Sequence, residues 1–118
     1  MKYLCLGYHE ASSWRTMSDE RRKALIDETL AYQNLLKKNG HYLDGKALEE
    51  SSSAATLRFD AGGRVAVTDG PFAETKEQLG GVMLLEATDL NHAIQLMSQL
   101  PCMRVGGSLE IRPINELL

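Results

Sequence analysis

The sequence predicts an α+β fold, an antiparallel sheet with two helices on one face. Short runs of large aliphatic and aromatic residues at 2–8, 82–87 and 108–114 read as strands. Two segments, 18–38 and 89–100, carry apolar residues at helical spacing. Between them, two short runs joined by a Gly-Gly turn read as a β-hairpin.

The elements follow in chain order. Residues 2–8 are apolar on both faces, and a polar loop, 9–17, comes next. Ser18 is a helix N-cap, with Asp19 and Glu20 set against the positive helix start. Leu25, Ile26, Thr29, Leu30, Tyr32, Leu35 and Leu36 form a broad stripe. Lys37-Lys38-Asn39-Gly40 ends the helix, with cations at its negative pole and glycine at the left-handed position beyond it. Residues 41–48 read as a short strand broken by Gly45, and Ser51 to Ser53 as a loop.

Runs 54–60 and 65–68 flank the Gly62-Gly63 turn. Asp69-Gly70-Pro71-Phe72 is turn chemistry, with positive φ expected at Gly70 and Phe72 expected as a core anchor. A charged stretch, 74–78, leads through Gly80-Gly81 to the strand at 82–87. Asp89 caps the second helix, whose stripe is Leu90, Ala93, Ile94, Met97 and Leu100, and Pro101 stops it.

The resulting order is that of two split βαβ units, the ferredoxin-like plan. Leu4, Leu6, Val82 and Leu84 alternate with Cys5, Met83 and Leu85 along two strands, so both faces of those strands are apolar. Helices cover one face; a two-fold homodimer, sheet against sheet, is expected to bury the other.

Composition bounds the function. A chain of 118 residues is read as one domain, 1–118, and its 43% hydrophobic and 25% charged residues exclude disordered and fibrous classes. Thirteen Lys and Arg against sixteen Asp and Glu give a net charge of −3, which excludes a nucleic-acid or anionic-membrane partner on electrostatic grounds. Cys5 and Cys102 are read as buried reduced thiols, since the pair has no disulfide-framework spacing. The start of the chain lacks the long apolar region of a secretory leader, and no run spans a membrane. A reducing cytoplasm is the expected location.

The strongest chemical candidate is the segment from Asp69 to Lys76. Asp69 ends an apolar strand, where a carboxylate beside a pocket gains acid/base character through desolvation. The competing reading has Asp69 accepting backbone N–H groups in an Asx-turn. Glu74 and Lys76 offer a second carboxylate and a cation for a ligand. At the end of the first strand, Tyr8 and His9 supply a phenol and an imidazole that exchanges protons near neutrality. If the two strand ends lie side by side, His9 and Asp69 are the catalytic pair, and Tyr8, Glu74 and Lys76 bind substrate. That set suits proton transfer on a small carbonyl or phenolic compound better than hydrolysis, because no activated nucleophile is visible.

The remaining candidates are weaker. His41 follows the helix-stopping glycine and is read as contacting the last helix carbonyls; His92 is read as surface. Their spacing with His9 matches no ligand motif, so neither a metal nor a cofactor is expected. Gly62-Gly63 and Gly80-Gly81 lack a phosphate-loop pattern and are read as turn or bulge glycines. Arg104, before Gly106-Gly107, is either an anion contact or part of a plain loop, and Trp14 either caps the sheet or lines a pocket.

Residues 67–81, Val-Thr-Asp-Gly-Pro-Phe-Ala-Glu-Thr-Lys-Glu-Gln-Leu-Gly-Gly, resemble the DGPF-type branch of the YCII-related proteins. The resemblance extends to Lys2-Tyr3, Tyr8-His9, Met17 to Glu20, Gly40, Asp89 with Ala93, and Glu110 to Pro113. It implies a dimeric α/β-barrel arrangement of the ferredoxin-like fold. It also implies chemistry on small cyclic or aromatic compounds or, alternatively, a non-catalytic binding or regulatory module associated with an extracytoplasmic-function sigma factor. The broader group's His–Asp pair is not carried over, because helix 18–38 has no histidine and no aspartate follows the second helix.

Overall fold

Antiparallel pairing of β1 (Lys2–His9) with β5 (Gln78–Glu86) forms the centre of the molecule, and the computed structural model describes residues 1–118. Between these strands the chain forms α1 (Ala11–Arg15), α2 (Asp19–Lys38), β2 (Tyr42–Ala47), β3 (Ala55–Phe59) and β4 (Val65–Asp69). After β5 come α3 (Leu90–Met97) and β6 (Ser108–Pro113), with single 3-10 turns at Ser51–Ser53 and Pro101–Val105. The four-stranded sheet has the order β2-β5-β1-β6, every neighbour antiparallel. This is the ferredoxin-like order, with β3 and β4 added as a separate two-stranded arm between β2 and β5.

Side-chain alternation decides which face becomes the core. Tyr3 and Cys5 of β1 and Met83 and Leu85 of β5 point to the helix side. There they join Leu36 of α2 and Ala93 and Met97 of α3, with Ala87 and Leu100, in one buried cluster. The Tyr32 hydroxyl of α2 donates to the Leu96 carbonyl of α3 at 2.5 Å, joining the two helices above the sheet. On the opposite side Leu4, Leu6, Val82 and Leu84 are half-buried among their own neighbours, with no layer over them. The molecule is correspondingly thin, 47 × 42 × 18 Å.

Helix ends follow the capping chemistry of the sequence. The Ser18 hydroxyl accepts from the Arg21 N–H at 3.1 Å, and Asp89 Oδ1 from the His92 N–H at 2.9 Å. Gly40 and Gly70 hold φ of 80° and 94°, as the turns there require.

Several elements differ from the sequence reading. The loop at 9–17 contains α1, since Ala11 to Arg15 include no breaker and close one short helical stretch; its polar surface conceals the periodicity. Strand β5 starts at Gln78, because Gly80 and Gly81 lie inside the strand rather than before it. Ile26, Leu30 and Leu35 on α2, and Leu90 and Ile94 on α3, are exposed: a helix resting on a single sheet face buries only a narrow arc. Helix α3 ends at Met97, and Pro101 opens the following 3-10 turn instead of stopping the helix directly. Phe72 is not a core anchor. It is 77% exposed, because it follows the β3–β4 arm, which stands outside the four-stranded sheet.

Two predictions concern this core. Leu85 is fully buried at the sheet centre, so Leu85→Ala should cost about 2–5 kcal/mol in chemical denaturation, with a loss below about 1 kcal/mol contradicting the packing described. Burial also pushes the Cys5 thiol up from 9.0 to about 11. The folded state therefore keeps its proton where the unfolded chain loses it. The contribution is fully present below about pH 9 and is lost as pH rises towards 11, about 2–3 kcal/mol in all. Denaturation of Cys5→Ala and the native protein across pH 7–11 should show a steeper alkaline decline in the native protein; parallel curves would refute it.

Candidate functional site

The candidate site is built where β1 ends and β5 begins. Gly7 pairs with Gly81 and Tyr8 with Leu79, which leaves Gly80 as an extra residue in a β-bulge. The bulge makes room for the His9 imidazole. A Cβ on Gly80 would lie 2.0 Å from His9 Cε1 and 2.4 Å from Nδ1. The Gly80 carbonyl accepts from the Leu48 N–H at 2.8 Å, which holds the bulge to the end of β2.

On the other flank Gly107, with φ +103°, lets the chain pass against the last turn of β1. A Cβ there would stand 2.3 Å from the Tyr8 carbonyl oxygen. Antiparallel pairing sets Ser108 opposite Tyr8. The Ser108 hydroxyl donates to Glu77 Oε2 at 3.0 Å, so β6 and the segment entering β5 converge beside Tyr8. Gln78 Nε2 donates to the Thr75 carbonyl at 2.7 Å and fixes the course of that segment.

Two open clefts result. The first, about 560 Å³, is lined by Glu10, Ser12, Gly70, Pro71, Glu74 and Lys76, among others. The second, about 580 Å³, is lined by Tyr8, Glu10, Lys76, Glu77 and Ser108 with Glu110. Glu10 and Lys76 line both, and their side chains form an ion pair at 3.5 Å. A carboxylate–ammonium pair therefore lies where the two clefts adjoin. The Arg15 guanidinium, bonded twice to Glu50 at 3.0 Å, holds that carboxyl below its usual range and ties α1 to the segment before the Ser51–Ser53 turn.

The clefts are polar and rich in carboxylates, with Lys76 the one cation in their walls. Such walls accept protons and hydrogen bonds from hydroxyl groups, while Tyr8 and Lys76 donate to a carbonyl.

Of the residues singled out by sequence, the structure brings Tyr8, Glu74 and Lys76 into the cleft walls. His9 is adjacent, half-buried at the end of β1, with its ring over Gly80. Asp69 lies at the end of β4 opposite Ala55, exposed and lining neither cleft, although the next two residues line the first. The Asx-turn does not form: two residues on from Asp69 stands Pro71, which has no N–H to donate, and the Gly70 N–H donates to the Ala54 carbonyl at 2.6 Å. The clefts open at the sheet end, not between sheet and helices.

Glu10, Glu77 and Ser108 escaped the sequence reading. Glu10 is signalled by its place directly after His9, and Ser108 by antiparallel register with Tyr8 once the strand order is fixed. Glu77 carries no such signal.

The other candidates sit elsewhere. His41 and His92 lie at the far end of β5, rings edge to face with centroids 5.0 Å apart. His41 Nδ1 is 3.0 Å from the Glu86 carbonyl, while its backbone N–H donates to the Leu36 carbonyl at the end of α2. His92 is half-buried rather than a free surface residue, because its Nδ1 accepts from the Thr88 N–H at 3.0 Å. Arg104 pairs with Glu28 of α2, and Trp14 lies half-buried on α1, its carbonyl accepting from Arg22 at 3.3 Å.

Comparison with known proteins adds a family and a fold. The profile of the YCII-related domain matches residues 1–117. An uncharacterized protein of Rhizobium meliloti (strain 1021) is 35% identical over 115 residues, covering 97% of this chain and 92% of the relative. Among solved structures, 5-chloro-2-hydroxyhydroquinone dehydrochlorinase from Burkholderia phenoliruptrix AC1100, in complex with 2,5-dihydroxybenzoquinone, superposes with a TM-score of 0.58. It shares 16% identity, with 98% of this chain and 94% of that one covered, a likeness of fold.

The two glycines at the site should respond differently to substitution. In Gly80→Ala the new methyl meets an imidazole that can swing away, so stability should fall by less than about 1 kcal/mol while the His9 ring resonances shift. In Gly107→Ala it meets fixed backbone at positive φ, so the loss should exceed about 2 kcal/mol. Equal losses in the two variants would contradict this geometry.

Proposed function

This chain belongs to the YCII-related family, and from that premise we propose that it is a small-molecule-binding enzyme performing acid/base chemistry on a small cyclic or carbonyl compound. The observation that carries the reading is the Glu10–Lys76 pair between two adjoining clefts, with Tyr8 on one side and Glu74 on the other. Lys76 and Tyr8 hold a carbonyl or phenolate oxygen of the substrate. Glu74 accepts from a ring hydroxyl. His9 moves the proton, released from its seat over Gly80 when the ligand enters, and Asp69 is the second proton-transfer group, one residue from the wall of the first cleft. Proton transfer of this kind needs no cofactor from the protein.

The same-fold dehydrochlorinase was solved with a dihydroxybenzoquinone, which supports small oxygenated rings as the ligand class. Within the family the 67–81 segment favours the DGPF-type branch. We further read the chain as one domain in a reducing cytoplasm: no helix is long and apolar enough to cross a membrane, and Cys5 and Cys102 are both free. We read the assembly as a homodimer joined sheet to sheet through Leu4, Leu6, Val82 and Leu84.

Calorimetric titration with 2,5-dihydroxybenzoquinone tests the function. Binding should be measurable below millimolar concentration, and Lys76→Ala should weaken it at least tenfold, equivalent to about 1.4 kcal/mol. His9→Gln should leave binding within about threefold while removing ligand-dependent proton exchange. A native protein that binds none of the compound at millimolar concentration returns the reading to the sigma-factor-associated regulatory module.

A further inference from the structure

The β3–β4 arm has an apolar face with nothing against it. Leu57 pairs with Val67 and Phe59 with Val65, so all four side chains share one face of the ribbon, while Thr56, Arg58, Ala66 and Thr68 occupy the other. The four are 53%, 65%, 69% and 48% exposed respectively. A two-stranded ribbon is at best marginally stable alone in water, and this one forms a sheet of its own, with neither strand paired to the four-stranded sheet. Four large apolar residues on one face of a solvated hairpin are not explained by its own fold.

From this we infer that the β3–β4 arm is an exchange element whose Leu57, Phe59, Val65 and Val67 face packs on a second copy of this chain. Charge argues for an identical partner. The arm carries two cations, Arg58 and Arg64, and two anions, Asp60 and Asp69, and is neutral overall. Arg64 is already bound to Asp60 at 2.9 Å, and Arg58 donates to the Phe72 carbonyl at 2.7 Å. No patch of one sign is left to attract an oppositely charged protein, or to repel a copy of itself.

Area argues the same way. The four side chains expose on the order of 400 Å², about half of the roughly 800 Å² that each partner contributes to a standard interface. The uncovered Leu4, Leu6, Val82 and Leu84 strip supplies further apolar surface on the same chain. The inference thus rests only on the part of the homodimer reading that pairs this chain with a copy of itself, whichever face joins the two. It also gives the arm a role at the site. The arm enters and leaves the fold next to Ser51, Ser52, Gly70 and Pro71 of the first cleft, so a partner that holds the arm also sets the width of that cleft.

Two measurements test it together. Amide hydrogen exchange of native protein over a thousandfold concentration range should show residues 55–59 and 65–69 slowing at least tenfold as the dimer forms. Sedimentation should show Phe59→Lys/Val67→Lys dissociating at least tenfold more readily than native protein, with unchanged ellipticity. Exchange in the arm that does not depend on concentration, or native protein that stays monomeric at 100 μM, overturns the inference. The variant Leu6→Lys separates the two readings. If it abolishes association while Phe59→Lys/Val67→Lys does not, the sheet-to-sheet dimer stands and the arm inference fails. If the arm variant dissociates the dimer and Leu6→Lys does not, the inference stands and the sheet-to-sheet reading fails.

Discussion

Everything in this molecule is positioned by the ladder between β1 and β5. Its register runs from Lys2 opposite Glu86 to His9 opposite Gln78 and joins the first strand to the fifth across the intervening residues 10–77. Because the pleat alternates, one ladder assigns Cys5 and Leu85 to the helix layer and Leu4 and Leu84 to the open side. Slipping the register by one residue would exchange these sets and place Lys2 and Glu86 against α2 and α3. The core, the uncovered face and the site thus share one determinant, and local changes within the ladder are felt in all three.

The parts of the fold that were legible in the sequence are those governed by local chemistry. Ser18, Asp89 and Gly40 mark helix ends because a cap depends on two or three consecutive residues and not on tertiary context. The alternation in β1 and β5 is equally local. What failed depends on which surfaces meet. Phe72 reads as a core residue by composition, yet its burial is decided by the arm that carries it away from the sheet. Leu90 and Ile94 fit the helical period as well as Ala93 and Met97 do, and only the narrowness of the contact with the sheet separates the two pairs. Helix α1 was invisible because five polar-rich residues contain too little of a period to register.

The candidate site shows the same division. Tyr8 is legible because it lies at the end of the first strand, and Glu74 and Lys76 because they lie on the charged loop that follows Asp69; both segments meet at one end of the sheet. Ser108 becomes visible only with the strand order, since a residue at the start of β6 reaches Tyr8 through pairing and not through sequence proximity. Asp69 shows the reverse case. Its position in a turn drew notice, but the arm holds it just outside the walls that Gly70 and Pro71 enter. The walls at this end of the sheet are therefore assembled from four separate backbone segments, around Glu10, Ser51, Lys76 and Ser108, all apart from the core that holds Leu85 and Tyr3.

The bulge at Gly80 has one more consequence. It puts the two halves of β5 out of phase, so residues before it no longer obey the in-out alternation that Met83 and Leu85 must keep. The site-bearing half of the strand is thereby released from the hydrophobic code of the other half. A substitution at Gln78, in the wall of the first cleft, thus leaves the phase of Met83 and Leu85 beneath the helices untouched, and the single skipped residue is what uncouples the two halves.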